Sequence, residues 1–252
     1  QKILAKPPLA LGKLEPVAIQ IAAMTGNPAP RLKDKAVVLF AADHHIADHG
    51  LSLTSTDVTY IQTRNFLQGG GTINAFTRNA GARLSVVDVG VNYDFGDLPG
   101  LVKRKVMHGA NDFSRGPAMT REQALECLQV GIDMAREEKA RGLDIVAAGE
   151  MGIGNTTPSS AIVAVLTGTP VETVTGRGSG VKGEVIRKKI ELIEQGIALN
   201  NPDPSDAIDV LAKVGGPEIG AMAGLMLGAA SLRVPIVIDG FIAGAAAAIA
   251  QG

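Results

Sequence analysis

Residues Asp144–Thr157 read DIVAAGEMGIGNTT, and this stretch decides the fold. Its β-branched, apolar run ends in the carboxylate Glu150, and the glycine-spaced turn 152–157 leads directly into a second apolar run, 161–166. This order predicts a strand whose carboxyl end meets the N-terminus of a helix. Glycines let a backbone approach a ligand closely, and the free N–H groups of a first helical turn favour an anion such as phosphate. Because a carboxylate suits ribose hydroxyls or a developing cation, the segment predicts a sugar-phosphate site.

Around this segment, short β-like runs alternate with longer helical patterns. Buried strands separated by helices predict an α/β fold with a doubly wound, mainly parallel sheet and helices on both faces. The predicted strands are Ala36–Ala42, Leu84–Val89, Asp144–Ala148 and Pro235–Ile238, with weaker candidates at Val102–Met107 and Glu172–Thr175. The predicted helices are Lys13–Met24, Asp57–Asn79, Arg121–Ala140, Ser159–Leu166, Glu184–Leu199, Ala207–Val214 and Glu218–Leu232. Residues 1–30 are expected to form an arm outside the α/β domain, which spans 31–252.

The composition excludes several classes of protein. With 252 residues, 46% of them hydrophobic, the chain can bury a large core in one or two domains. A net charge of −1, 3% aromatic residues and no Trp argue against a nucleic-acid partner. No apolar run approaches the roughly 18 residues of a membrane span. Cys127 is the single cysteine, which predicts a core residue in a reducing, cytoplasmic compartment.

Carboxylates stand at the ends of the predicted strands. Asp43, Asp88, Glu150 and Asp239 each follow or end an apolar run. Ligands of open parallel sheets bind outside the carboxyl ends of the strands, so these groups predict a site for hydroxyls, a positive charge or a metal. Aspartate at a strand end also caps helices, and this interpretation is equally open for Asp88 and Asp239.

The densest polar cluster is the segment 43–49, DHHIADH, which holds three of the four histidines. His45 and His49 are spaced i and i+4, so a helix would place them together as metal ligands. No Cys-rich or Glu-rich partner segment accompanies them, and we therefore favour a polar loop that faces the substrate, with no bound metal.

Two further glycine clusters carry weaker signals. The segment 176–180, GRGSG, precedes a helical pattern that contains Lys188 and Lys189, and a backbone nest followed by a lysine can hold a phosphate. A plain tight turn explains the same residues equally well. The segment 68–72, QGGGT, interrupts a long helical pattern and predicts a joint between two helices rather than a ligand loop.

The motifs together resemble the nicotinate-nucleotide:5,6-dimethylbenzimidazole phosphoribosyltransferase family, and the resemblance covers nearly all 252 residues. The matching segments are Lys6-Pro7-Pro8, Leu11–Glu15, Ala42-Asp43-His44, Val87–Gly90, Gly116–Met119, Gly149–Thr157, Gly176-Arg177-Gly178, Asp209–Gly216 and Val237–Phe241. Two local departures from the family pattern are His45, where the family has Gly, and Leu9-Ala10, where it has Gly-Ser.

The resemblance implies a reaction and an assembly. Phosphoribose would move from nicotinate mononucleotide to a nitrogen of an aromatic base, with release of nicotinate, inversion at C1′ and no cofactor or metal. It also implies a smaller helical domain built from the chain ends and a homodimer. The family's chains continue past Gly252, and the glutamate that serves as general base lies in that continuation. We therefore expect this sequence to be incomplete at its C-terminus.

The resemblance also implies roles for individual residues. Glu150 matches an active-site glutamate. The acceptor side is implied at Thr54, Gln62, Asp43 and His44, although Gln62 is also compatible with an ordinary exposed helix position. The nucleotide side is implied at Gly152, Gly154, Asn155, Thr156, Gly176, Arg177, Gly178 and Lys189.

Two alternatives to this enzyme remain at the level of sequence. A non-catalytic paralogue could keep the nucleotide site and act in a heterodimer on phenolic or other acceptors. A generic dinucleotide-binding module fits poorly, because no G-x-G-x-x-G follows the first strand.

Overall fold

The computed structural model describes residues 5–7, 9–178, 180 and 183–252. Within them, one parallel sheet contains the strands β1 (Lys35–Ala42), β2 (Ala82–Gly90), β3 (Leu101–Lys103), β4 (Ile145–Met151) and β5 (Ile236–Val237). The strand order is β3-β2-β1-β4-β5. The chain builds outward from β1 to one side and then starts again on the other side with β4. The carboxyl ends of β1 and β4 therefore flank the switch point, where ligands bind in such sheets.

Helices cover both faces of this sheet, which confirms the predicted α/β class. They are α1 (Leu14–Thr25), α2 (Val58–Leu67), α3 (Thr72–Ala80), α4 (Arg121–Ala140), α5 (Thr156–Thr167), α6 (Val171–Val174), α7 (Glu184–Asn200), α8 (Ala207–Val214), α9 (Pro217–Ser231) and α10 (Phe241–Gln251). A short 3-10 helix, His45–His49, follows β1. Among the described residues, no helix has both the length and the apolar character needed to cross a membrane.

The two faces of the sheet bury different clusters. Val38 and Phe40 of β1 contribute to the large core that contains residues of α4, α5, α9 and α10. Leu39 and Ala41 alternate with them and contribute to a smaller core against α2 and α3. Cys127 is buried in the large core, as its sequence context predicts. Both faces of β1 are thus covered, and its carboxyl end is held rigidly.

Most predicted elements form, and three differ in an informative way. Glu172–Thr175 is not a strand, because Pro170 starts the short helix α6 and its carbonyl accepts from the Thr173 N–H. The candidate Val102–Met107 is strand only at Leu101–Lys103. β4 extends to Met151, so Glu150 lies within the strand and pairs in register with Phe40.

The predicted joint between helices at residues 68–72 is confirmed. A Cβ atom at Gly70 would lie 2.1 Å from Asn65 Oδ1, and one at Gly71 would lie 2.4 Å from Phe66 Cδ1. The backbone between α2 and α3 therefore passes so close to the preceding helix that only glycine fits. This explains the glycine run without a ligand.

Candidate active site

Glu150 is the carboxylate at the switch point. The Asn155 side-chain amide donates to Glu150 Oε2 at 2.5 Å, across the turn that joins β4 to α5. Burial raises the pKa of Glu150 to about 6, and the neighbouring carboxylates Glu218 and Asp239 also raise it, against the lowering effects of Asn155 and His44. Glu150 is thus held in a fixed position and is less acidic than an ordinary glutamate.

The turn after Glu150 is shaped by close backbone approach. Gly154 has a φ of +89°, and a Cβ atom there would lie 2.6 Å from Ala47 Cβ. The N–H of Ile153 donates to Thr59 Oγ1 at 3.1 Å, which ties the turn to α2. Asn155 precedes α5, and its side chain holds Glu150 instead of capping the helix. The turn therefore both fixes the Glu150 side chain and leads directly into α5.

A buried lysine faces the start of α5. Lys189, on α7, is only 1% exposed, and its Nζ donates to Thr156 Oγ1 at 2.7 Å. Burial lowers the pKa of Lys189 to about 8. The second glycine segment reaches the same point, since a Cβ atom at Gly178 would lie 2.9 Å from Thr156 Oγ1 and 3.7 Å from Lys189 Nζ. Both glycine-rich segments therefore converge on one cation.

An open cleft of about 560 Å³ adjoins this point. Its lining includes Thr156, Gly176, Gly178 and Phe241, together with residues 173–175. Arg177 is exposed beside it. Ser179, which lies in the predicted nest, falls outside the described residues. The cleft, the start of α5 and the lysine form a site of suitable size and charge for a nucleotide phosphate.

Asp43 and His44 lie at the carboxyl end of β1. The side chains of Asp43 and His44 are buried, and Asp43 Oδ2 accepts from the Asn92 N–H at 2.8 Å. His44 Nε2 lies 2.7 Å from Glu218 Oε1. Burial disfavours the charged imidazole, but the Glu218 carboxylate together with Asp43 and Glu150 outweighs it, so the pKa of His44 lies above its usual value. Sequence reasoning missed Glu218, because this partner stands 174 residues away.

Thr54 and Gln62 bond to neighbours in their own segments. Thr54 is exposed in the loop before α2, where its Oγ1 is 3.2 Å from Ser52 Oγ. Gln62 is half-buried on α2, and its Oε1 accepts from the Asn65 amide at 3.0 Å. The structure places both on the side of the switch point that is covered by α2, without a direct hydrogen bond to Glu150.

Of the remaining strand-end and histidine candidates, Asp88, His45 and His49 have partners within the fold. Asp88 accepts from the Val91 N–H at 2.9 Å and pairs with Lys105 at 3.0 Å, while Asp239 is exposed. His45 Nδ1 lies 3.4 Å from Asp48 Oδ2, whereas His49 Nε2 lies 2.8 Å from Asp112 Oδ2. No group of three or more His, Cys, Asp or Glu side chains within the described ranges is arranged to hold a metal ion.

A parallel sheet with a carboxylate, a helix N-terminus and a buried lysine at its switch point is typical of α/β proteins that handle nucleotides. A family model described as "Phosphoribosyltransferase" matches residues 1–252. The chain therefore belongs to this phosphoribosyltransferase family of pentosyl-transferring enzymes.

Individual relatives are similar over almost the whole chain. A Geobacter sulfurreducens protein named nicotinate-nucleotide–dimethylbenzimidazole phosphoribosyltransferase is 54% identical over 245 residues, 97% of this chain and 70% of that protein. A protein of the same name from Desulforudis audaxviator is 50% identical over 252 residues and is covered to 71%. The crystal structure of CobT from Thermus thermophilus superposes with a TM-score of 0.94 at 44% identity, covering 98% of this chain and 74% of that chain. These names support the enzyme rather than the non-catalytic paralogue.

Proposed function

We propose that the chain transfers the phosphoribosyl group of nicotinate mononucleotide to a ring nitrogen of an aromatic base such as 5,6-dimethylbenzimidazole. The products are an α-ribazole-type phosphate and nicotinate. The observation that carries the proposal is the contact between Lys189 and Thr156 at the N-terminus of α5, beside Gly178 and the adjoining cleft. It supplies a cation and a hydroxyl for the donor phosphate at the N-terminus of a helix.

On the donor side, the residues divide between phosphate and ribose. Gly152, Gly154, Asn155 and Thr156 form the turn and the start of α5, while Gly176 and Gly178 line the cleft and the exposed Arg177 lies between them in sequence. Glu150 lies two residues before Gly152, within reach of a sugar attached to a phosphate at this helix end. Its carboxylate suits ribose hydroxyls and the positive charge that develops at C1′ when the glycosidic bond breaks.

The proposed transfer breaks one bond at C1′ and forms another. The C1′–N bond of nicotinate mononucleotide breaks, and its electron pair neutralises the pyridinium nitrogen of the leaving nicotinate. The acceptor nitrogen attacks C1′ from the opposite face, so the configuration inverts, and the acceptor then loses its ring proton to a base. Thr54, Gln62, Asp43 and His44 are proposed to form the acceptor side, and of these Asp43 and His44 are buried.

The test is an incubation with nicotinate mononucleotide and a mixture of 5,6-dimethylbenzimidazole, adenine, phenol and p-cresol, followed by mass spectrometry. We expect a ribotide and an equal amount of nicotinate, and the ribotide mass identifies the preferred acceptor. Calorimetry of nicotinate mononucleotide binding accompanies the assay. The absence of both turnover and binding would contradict the proposal. Binding without turnover would support the nucleotide site but not the transfer.

We also propose the assembly and compartment that the family resemblance implies. Residues 1–30 would belong to a smaller helical domain, and the chain would form a homodimer. The support is α1, an apolar helix on which Leu14, Val17 and Ile19 are 66%, 47% and 55% exposed, as surfaces that pack against another segment or subunit are. The free, buried Cys127 is compatible with a reducing cytoplasm.

A further inference from the structure

A buried ion pair lies directly beneath the turn that follows Glu150. It joins His44, at the end of β1, to Glu218, in the first turn of α9, and their side chains are 1% and 0% exposed. Removing two charges from water is costly, and well-packed apolar residues often stabilise a core as well as such a pair does. This makes stability alone a weak reason for placing the pair at the switch point.

The pair contacts the backbone of the active-site turn. A Cβ atom at Gly152 would lie 3.1 Å from Glu218 Oε1, 3.2 Å from His44 Nε2 and 2.6 Å from the Ala42 carbonyl oxygen. On the other side, a Cβ atom at Gly216 would lie 2.4 Å from His44 Cε1. The imidazole is therefore enclosed between two glycines, and the turn that carries Gly152 rests on the pair.

The charges around Glu150 come from several elements. Glu218 approaches from α9 and Asp239 from the end of β5, and both act against ionisation of Glu150. Asn155 of the turn and His44 of β1 favour it. His44 itself faces Glu218, Asp43 and Glu150, three carboxylates. Of the three titratable groups with the largest effects on Glu150, which are Glu218, Asp239 and His44, the histidine is the one that can carry a positive charge.

Glu218 depends on the same imidazole. Its Oε1 is bonded to His44 Nε2, and its Oε2 is buried without a hydrogen-bond partner among the described residues. An unpaired buried carboxylate is unfavourable, and the His44 imidazole is the partner that Glu218 Oε1 has among the described residues. Loss of the imidazole would remove this partner of Glu218 together with a positive charge that acts on Glu150.

We propose that the His44–Glu218 pair is a positioning element for the active site, which holds the Gly152 turn and supplies the positive charge that balances the carboxylates around Glu150. A negative Glu150 is what the transfer reaction proposed above requires when charge develops at C1′. In that respect the inference rests on the proposed function. The charge balance itself is a property of the folded chain and is measurable without turnover.

The test uses His44→Gln, Glu218→Gln and the double variant. Glutamine at position 44 keeps a donor near Glu218 but cannot be charged, and glutamine at 218 keeps the shape of glutamate. The titration of Glu150 is followed by 13C NMR of side-chain carboxyl groups, with the signal assigned from Glu150→Gln. Thermal unfolding establishes that each variant is folded.

In His44→Gln we expect the titration midpoint of Glu150 to rise by about one pH unit, because an opposite charge has been removed. The double variant should return the midpoint close to that of the wild type, because it removes both charges. An unchanged midpoint in folded His44→Gln, or the same rise in the double variant, would overturn the proposal. A pair that only holds the backbone would lower stability without moving the midpoint.

Glu218→Gln provides an independent measurement should His44→Gln not fold. We expect His44 to lose its proton at a lower pH than in the wild type, because the carboxylate that favours its charged form most is gone. An unchanged His44 titration would refute the pairing. Failure of the wild type to form a ribotide would instead concern the proposed reaction and would leave these titrations interpretable.

Discussion

Glu150 has opposing effects on stability and on the proposed reaction. Its pKa rises from an ordinary 4.5 to about 6 on folding, so the folded chain binds the proton more tightly than the unfolded chain does. The ionised form therefore destabilises the fold above pH 6, and the effect fades as the pH falls towards 4.5. The shift corresponds to about 2 kcal/mol at most. A carboxylate kept at such a place is compatible with a catalytic role.

Glu150→Gln should therefore raise the free energy of unfolding at pH 8 by up to about 2 kcal/mol while lowering ribotide formation about a hundredfold or more. Asn155 can still donate to the glutamine oxygen, so the turn should persist. Urea unfolding at pH 8 and pH 5 gives the stability, and the gain should shrink at the lower pH. The exposed Glu191→Gln on α7 is the matched control. A variant less stable than the wild type at pH 8 would contradict this account.

Lys189 predicts a pH dependence of donor binding. Its pKa is lowered to about 8, so it is cationic below that pH and loses its charge above it. The dissociation constant of nicotinate mononucleotide should accordingly rise above pH 8. Lys189→Met keeps most of the buried volume and should weaken binding by roughly tenfold to a hundredfold at pH 7, the value of a hydrogen bond to a charged group.

Calorimetry between pH 6.5 and pH 9 distinguishes this role from a structural one. In Lys189→Met the rise above pH 8 should disappear. The neighbouring Lys188→Ala is the control, because Lys188 is exposed and its Nζ donates to the His49 carbonyl instead of Thr156. Equal affinities for the Lys189→Met variant and the wild type would remove Lys189 from the phosphate site.

The helices α4 and α9 cross so closely that one added methyl group should strongly lower the free energy of unfolding. A Cβ atom at Gly131 would lie 1.9 Å from the Ala221 carbonyl oxygen, and one at Gly224 would lie 1.9 Å from the Leu128 carbonyl oxygen. Gly131→Ala should lower the free energy of unfolding by about 3 kcal/mol, since overpacking against backbone exceeds the gain in helix propensity. Gly244→Ala in α10, where nothing lies within 4 Å, should instead be neutral or stabilising. Equal effects of the two variants would show that the helices can separate.

How well an element is predicted depends on whether its signals are local. α4 forms at the predicted residues because nearby residues cap its N-terminus. Thr120 Oγ1 accepts from the Gln123 N–H, and Gln123 Oε1 accepts from the Thr120 N–H, which is a capping box. α8 is capped by Asp206 in a similar way. The run Glu172–Thr175 predicts a strand, but Pro170 begins a helical turn there instead.

In the candidate site, too, the features with local sequence signals were predictable and those that depend on long-range packing were not. The β4–α5 turn was predictable, because its strand, glycines and helix are contiguous. The partnership of Lys189 with Thr156 depends on the packing of α7 against α5, and that of His44 with Glu218 joins residues 174 positions apart. No spacing in one sequence encodes such contacts.

For the whole molecule, the site predicts coupling between donor binding and global stability. It is assembled from β4, α5, α7 and the 176–178 segment, which belong to one folded unit only when the sheet and its large core are formed. Nicotinate mononucleotide should therefore bind the folded chain and not the unfolded one. At a hundred times its dissociation constant it should add about 2.7 kcal/mol to the free energy of unfolding.

For a chain of this size, that gain corresponds to a rise of roughly 5–10 °C in the melting temperature. Differential scanning calorimetry at increasing nucleotide concentration measures it, with nicotinate riboside, which lacks the phosphate, as the control ligand. The riboside should stabilise much less, because it leaves Lys189 and the start of α5 without an anion. If the two ligands raised the melting temperature equally, the phosphate would not be bound at this site. If neither did, the cleft beside α5 would not be the donor site, because binding confined to the folded state must shift its unfolding equilibrium.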